Sequence, residues 1–277
     1  MRLSKCYSIL LLIAIFSVAI IMLFNVIHIQ AFACELNIFS GLVIGELVPI
    51  KPVDCDNSTD EVSSKKPKRL TNEQKNKFIL SGKETEILFG LYLGDLHGEK
   101  SSQTANARLK FEQGINHKEY LDHLYELFKS YCTENPPQIC NQSPHKITGK
   151  SYTSTRFRTY SLPCFTKLHN LFYIDGIKKV PLNIKSMFTE YSLAYLLADD
   201  GCFDKTNSIV IICTDSFSFE EVQLLANTLS DKWNLQCYII KKNNNKYRIH
   251  IPRRSLEILQ NLLKDIMPPM MRHKIGL

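Results

Sequence analysis

Two apolar runs that each end in an acid constrain this chain more than any other feature. LFGLYLGDL, Leu88 to Leu96, and LAYLLADDG, Leu193 to Gly201, both read as buried helices running straight into carboxylates. An acid at a helix C-terminus faces the negative end of the macrodipole, at a cost of up to about 1 kcal/mol. A chain that does this twice has to bring compensating positive charge to both ends.

The text around the two runs also repeats. After the first come strand text in NARLKFEQ, a helical period in HKEYLDHLYELFKSY, strand text in SYTSTRFRTYSL and a helix in CFTKLHNLFY. After the second come SIVIICTD, the helical SFEEVQLLANTLSDKW, the strands CYIIKK and KYRIHI joined by Asn243 to Asn245, and the helix RRSLEILQNLLKDI. Two copies of one helix and strand unit are the economical description. The expected halves are 78–186 and 187–277.

Three strands carry a basic face. Asn106, Arg108, Lys110 and Glu112 alternate with Ala107, Leu109 and Phe111, while Ser154, Arg156, Arg158 and Tyr160 oppose Thr155, Phe157 and Thr159. Lys246, Arg248 and His250 likewise oppose Tyr247, Ile249 and Ile251. One such strand would read as an ordinary solvated sheet face. Three favour a nucleic-acid surface, because Arg and Lys on a sheet can pair with phosphate or read guanine edges in the major groove. SIVIIC dissents: apolar on both faces, it would meet thymine methyl groups or backbone if it lay over DNA.

The chain has 277 residues and 44% apolar content, enough for one large domain or two modest ones, and this excludes a disordered protein. Its 34 basic residues against 27 acidic ones give a net charge of +7, which points to a polyanion only because the basic residues cluster. Nine scattered cysteines form no C-x-x-C pair and no zinc-ligand spacing, so they read as reduced thiols rather than a metal site or disulfide framework.

Residues 1–33 form a separate hydrophobic leader. Ile9 to Ile29 carries no formal charge and is long enough to cross a bilayer, with Arg2 and Lys5 before it and Glu35 and Glu46 the first charges after it. Insertion with the N-terminus on the positive-inside side, a cleaved signal peptide ending at AFA (Ala31 to Ala33), and a fused piece of another reading frame all remain open. Residues 34–77 read as a linker whose basic run, Lys65, Lys66, Lys68 and Arg69, is preferred as a solvated stretch over a phosphate-touching arm. His169 is read as a packed or surface histidine rather than a metal ligand, and Trp233 as packing at a helix end.

LFGLYLGDL and LAYLLADDG resemble the motif helices of the LAGLIDADG homing endonucleases in their single-chain, two-motif form. ARLKFEQGINHKEYLDHLYELFKSY, TYSLPCFTKLHNLFY and NNNKYRIHIP are similar to that family too, so the resemblance spans roughly Thr71 to Leu277. It implies an α+β fold of two pseudo-symmetric αββαββα halves, with paired motif helices and antiparallel sheets forming a DNA-binding saddle. Gly90 and Gly94, and Ala194 and Ala198, stand four apart and allow close backbone approach, although Tyr195 occupies the position of Gly90. The implied activity is site-specific double-strand cleavage of DNA, with Asp95 and Asp200 holding Mg2+ (or Mn2+) and Asp199 as a neighbour of unassigned role.

The resemblance further implies supporting roles for Gln113 and Asp215 at matching strand ends, and for Lys178 and Lys274 after the third helix of each half. Lys179 competes with Lys178. DNA contacts are expected from Arg108, Lys110, Arg156, Arg158, Lys246 and Arg248. The implied partner is a double-stranded target, bound by a monomer in an organelle, the mitochondrion before the chloroplast, with membrane association through 9–29 if the leader is retained. Two alternatives stand beside it: a group I intron maturase acting on its own intron RNA, and a membrane-tethered, non-catalytic DNA-binding protein.

Overall fold

The computed structural model describes residues 69–141 and 151–277, which belong to a compact unit spanning Ser64–Leu277. The hydrophobic leader, the basic run up to Lys68 and most of the expected linker lie outside the described residues. Among the described residues no helix is long and apolar enough to cross a membrane.

The expected linker ends too late. Thr71 and Gln74 close a reciprocal capping box around α1 (Asn72–Asn76), and Leu70 and Phe78 on either side pack against the core. Ser81 and Glu84 form a second capping box that starts α2 (Gly82–Leu93), the first motif helix. From Ile87 to Leu93 this helix is buried all round, as expected of a helix at the centre of a body rather than on its surface. Thr189 caps α6 (Glu190–Asp200), the second motif helix, which is buried from Ser192 to Ala198.

Each motif helix feeds directly into the edge strand of its own sheet. The first sheet, in the order β1-β2-β4-β3, is built from β1 (His97–Glu99), β2 (Arg108–Gly114), β3 (Gln138–Asn141) and β4 (Thr153–Arg158), all antiparallel. The second, β7-β8-β10-β9, is built from β7 (Gly201–Asp204), β8 (Ile209–Ile212), β9 (Tyr238–Lys241) and β10 (Tyr247–Ile251) with the same antiparallel order. The helix α3 (Lys118–Phe128) lies on the first sheet and α7 (Phe219–Trp233) on the second. After α4 (Pro163–Phe172), a hairpin of β5 (Tyr173–Ile174) and β6 (Ile177–Lys178) turns at Asp175 and Gly176, both at positive φ. The short α5 (Ile184–Met187) links the halves, and α8 (Leu256–Leu263) with a 3-10 segment, Pro269–Ile275, completes the second.

The alternation read from the sequence is the one observed. Leu109, Phe111 and Phe157 are buried, with the Phe111 and Phe157 rings stacked at 4.4 Å, while Arg108 and Arg158 are exposed. Val210, Ile212, Ile249 and Ile251 form the corresponding buried layer of the second sheet. Trp233, the last residue of α7, packs beside Phe188 and donates its indole N–H to Glu190 at 3.0 Å.

Candidate nuclease centre at the motif-helix ends

The two motif helices run parallel and very close. Ser192 donates its hydroxyl to the Glu86 carbonyl at 2.8 Å near the N-terminal ends, and the Asp199 carboxylate accepts the Asp95 N–H at 3.0 Å at the C-terminal ends. Gly90 permits this, since a Cβ there would overlap the Ser192 carbonyl oxygen. A Cβ on Gly94 would lie 2.6 Å from the Asp199 carboxylate. The second helix meets these glycines with Ser192 and Asp199, in keeping with the expected difference in small-residue register between the halves.

This geometry brings Asp95 and Asp200 to neighbouring helix ends, and the positive charge demanded there comes from two lysines. Lys178 of β6 donates to the Gly94 and Leu96 carbonyls at 2.5 and 3.0 Å. Lys274 of the C-terminal 3-10 segment donates to the Ala198 and Asp199 carbonyls at 2.7 and 2.6 Å. Lys274 satisfies carbonyls of the last turn of α6, Lys178 those of the cap residue Gly94 and of Leu96 just beyond α2, and each ammonium opposes the dipole at its helix end. Of the two adjacent lysines it is Lys178 whose ammonium reaches the end of the first motif helix.

Burial pushes the Asp200 carboxyl up to about 7, Asp95 adds to the rise, and Lys178 and Lys274 oppose it. Burial likewise lifts Asp199 well above the ordinary carboxylate range, with Asp95 acting in the same direction and its own N–H against it. Burial pulls the Lys178 ammonium below the usual lysine range, against the pull of Asp199, Asp200 and Asp95. Asp95, by contrast, is exposed, and Gln113 donates its amide to it at 3.2 Å.

Asp215 stands differently from Gln113. Matching the buried pairs Leu109 with Val210 and Phe111 with Ile212 makes Thr214 the positional partner of Gln113. Thr214 is buried and donates to the Tyr247 carbonyl at 2.7 Å. Asp215, one residue on, lies in the turn that follows β8, close enough for its charge to act on Asp200, and Arg248 clamps it through Nε at 2.9 Å and Nη2 at 2.7 Å. Gln113 thus touches Asp95 from within β2, whereas Asp215 neighbours Asp200 from a turn and is held by Arg248.

The six candidate DNA contacts lie on the polar sheet faces and connecting turn, but half are ion-paired within the protein. Arg108 pairs with Glu99 at 2.7 Å, Lys110 with Glu112 at 2.5 Å and Arg248 with Asp215 at 2.7 Å. Among the described residues, no carboxylate lies within ion-pair distance of Arg156, Arg158 or Lys246. Tyr120 went unnoticed in the sequence: its hydroxyl, at the buried face of α3, donates to Asp199 at 2.9 Å. Its position in the helical period marked it as core, and nothing there signalled a reach across to the second motif.

Among the described residues no three His, Cys, Asp or Glu side chains gather as a metal cage. The helix ends nevertheless fit a hard divalent cation in donor chemistry: Asp95 and Asp200 bring carboxylate oxygens to adjacent helix ends, and the Asp200 carboxyl, raised by burial and then by Asp95, is only partly offset by Lys178 and Lys274, whose ammoniums are engaged by carbonyls. With so few carboxylates, the remaining ligands would be water and substrate phosphate, a common arrangement for magnesium.

A sequence model of the LAGLIDADG DNA endonuclease family matches residues 85–259. The chain is 32% identical over 215 residues to probable intron-encoded endonuclease 1 of Wickerhamomyces canadensis, covering 75% of this chain and 90% of that protein. It is 30% identical over 200 residues to the cytochrome b mRNA maturase bI2 of Saccharomyces cerevisiae, spanning 69% of this chain but 46% of that one. Among solved structures, the homing endonuclease I-WcaI bound to its DNA recognition sequence superposes with a TM-score of 0.69 at 30% identity, covering 76% of this chain and 95% of that one. The chain belongs to the LAGLIDADG DNA endonuclease family.

Proposed function

We propose that this protein is a site-specific, metal-dependent DNA endonuclease of the homing type that cuts both strands of a duplex target as a monomer. The observation that carries the reading is the pair of lysine-capped helix ends presenting Asp95 and Asp200 side by side, each leading into a sheet with basic side chains on its outer face. Family membership and the likeness to a DNA-bound homing endonuclease support it.

In this reading Asp95 and Asp200 hold Mg2+ or Mn2+, which when bound acidifies water and stabilises charge on the scissile phosphate. Gln113 orients the Asp95 carboxylate, and Lys178 and Lys274 fix the last carbonyls of the motif helices. Arg108, Lys110, Arg156, Arg158, Lys246 and Arg248 bind phosphates and base edges, so the two sheets act as a saddle. Arg248 can exchange Asp215 for phosphate, which would leave that carboxylate free beside Asp200. Selection of cleaved sites from a randomised duplex library in Mg2+ tests the reading. A reproducible recognition sequence cut on both strands is expected, and no cutting in Mg2+ or Mn2+ would sink it.

Relatives named for the cytochrome b mRNA favour two further readings: an organellar, mitochondrial origin and splicing assistance to the protein's own intron RNA. Splicing of that intron with and without the purified protein separates a maturase from an enzyme that only cuts DNA.

A further inference from the structure

The two motif helices break their symmetry in one direction. In register, Gly90 matches Tyr195 and Gly94 matches Asp199, so both glycines of the first motif are polar side chains in the second. Both cross into the first half: the Tyr195 hydroxyl meets His123 at 2.9 Å, and Asp199 accepts from Tyr120 at 2.9 Å, each partner lying on α3. Neither glycine has a side chain with which to return such a contact. The second oxygen of Asp199 accepts the Asp95 N–H at 3.0 Å, and Asp199, Asp95 and Gln113 line one shallow pocket.

We propose that Asp199 is a positioning residue for the Asp95 centre, bracing the Asp95 peptide from the second motif through hydrogen bonds to the Asp95 N–H and to Tyr120. Resting on the endonuclease reading, this makes the first centre dependent on the second motif, while Asp200 receives no equivalent brace from the first. The brace needs an acceptor rather than a charge. Asp199→Asn retains an oxygen for the Asp95 N–H and an amide that can donate to the Tyr120 oxygen. Asp199→Leu keeps similar bulk but leaves both groups unpaired.

The test is single-turnover cutting of a duplex target labelled on each strand, with target affinity in the absence of divalent metal and the melting temperature measured alongside. Gln113→Ala, which removes the group touching Asp95, identifies the strand cut by the first centre. Asp199→Leu is expected to slow that strand by about 10-fold or more and the other by less than about 3-fold, with affinity unchanged; Asp199→Asn stays within about 3-fold on both. Tyr120→Phe slows the same strand by a smaller factor, and it carries the test if Asp199→Leu does not fold. Equal slowing of both strands, no slowing, or Asp199→Asn as impaired as Asp199→Leu would overturn the proposal. A wild-type protein that cuts no site would instead remove the endonuclease reading, and this proposal with it.

Discussion

The two halves share an architecture and differ in how they treat their acid. Asp95 is exposed, touched by Gln113 and braced by Asp199, whereas Asp200 is half-buried and flanked by a carboxylate already committed to Arg248. The sheets differ in the same sense. Across the first, Lys110 stands between His97 and Arg158; across the second, Ile211 stands between Cys202 and His250, with Tyr238 beyond. Duplication supplies the frame, and each half then chooses its own electrostatics. Two centres built this way are expected to cut their strands at unequal rates.

The largest effects should come from the shared part of that comparison. Asp95→Asn and Asp200→Asn each remove a carboxylate from the helix ends, so cutting should fall by about 100-fold or more while metal-free affinity for the target stays constant or rises slightly. Asp199→Asn, within about 3-fold of wild type, marks the third acid as different in kind. Wild-type cutting by Asp200→Asn together with inactive Asp199→Asn would reverse the assignment of the second motif.

Next in size is the packing that holds the halves together. Gly90→Ala forces a methyl group into the backbone of Ser192, and overpacking of that kind should cost about 3 kcal/mol or more, read as a lower denaturant midpoint. Tyr195→Phe, at the matching position, loses only its bond to His123 and should cost about 1 kcal/mol. Equal costs would mean that the interface is more symmetric than its contacts.

A smaller effect separates the acids by pH. The folded protein holds the Asp200 proton more tightly than the unfolded chain does. Its contribution therefore favours the fold below about pH 4 and is withdrawn as pH rises toward about 7. Without divalent metal, Asp200→Asn should melt close to wild type at pH 4 and roughly 3–6 °C higher at pH 8. A gap independent of pH would mean that Asp200 is solvated like Asp95.

The finest test concerns the sheets. Arg156→Gln and Arg158→Gln should each flatten the dependence of log affinity on log salt by about 0.9, because a bare cation on a phosphate releases a counterion. Arg108→Gln should flatten it less, since Glu99 already neutralises that side chain. Identical slopes for paired and unpaired arginines would show that the internal ion pairs dissolve on DNA.

Much of this molecule was legible without coordinates. Periodicity and repetition gave the two motif helices, the inward faces of β2, β4 and β10, and the long helices α3 and α7, because apolar residues at periods of 3.6 and 2 must face a core. The acids at the helix ends implied that positive charge had to arrive; the sequence reading assigns that charge to a divalent metal, and the structure adds Lys178 and Lys274 at the carbonyls there. The short β1, β3 and β7, the hairpin that delivers Lys178, and the helix inside the expected linker left little trace, since elements of two to five residues hold no period.

What the sequence determined by itself was therefore the duplication, the presence of two acid-tipped helices and the basic character of the strands: each is a matter of local pattern, and pattern survives in one dimension. Only the tertiary structure decided that Lys178 rather than Lys179 reaches the helix end, that Asp215 faces Arg248, and that Asp199 grips the Asp95 peptide and Tyr120. Those outcomes depend on where a hairpin and a turn deliver adjacent side chains and on contacts between residues 79 and 104 positions apart. Hydrogen bonds act over a few ångströms in space, and their partners are chosen by packing rather than by proximity along the chain.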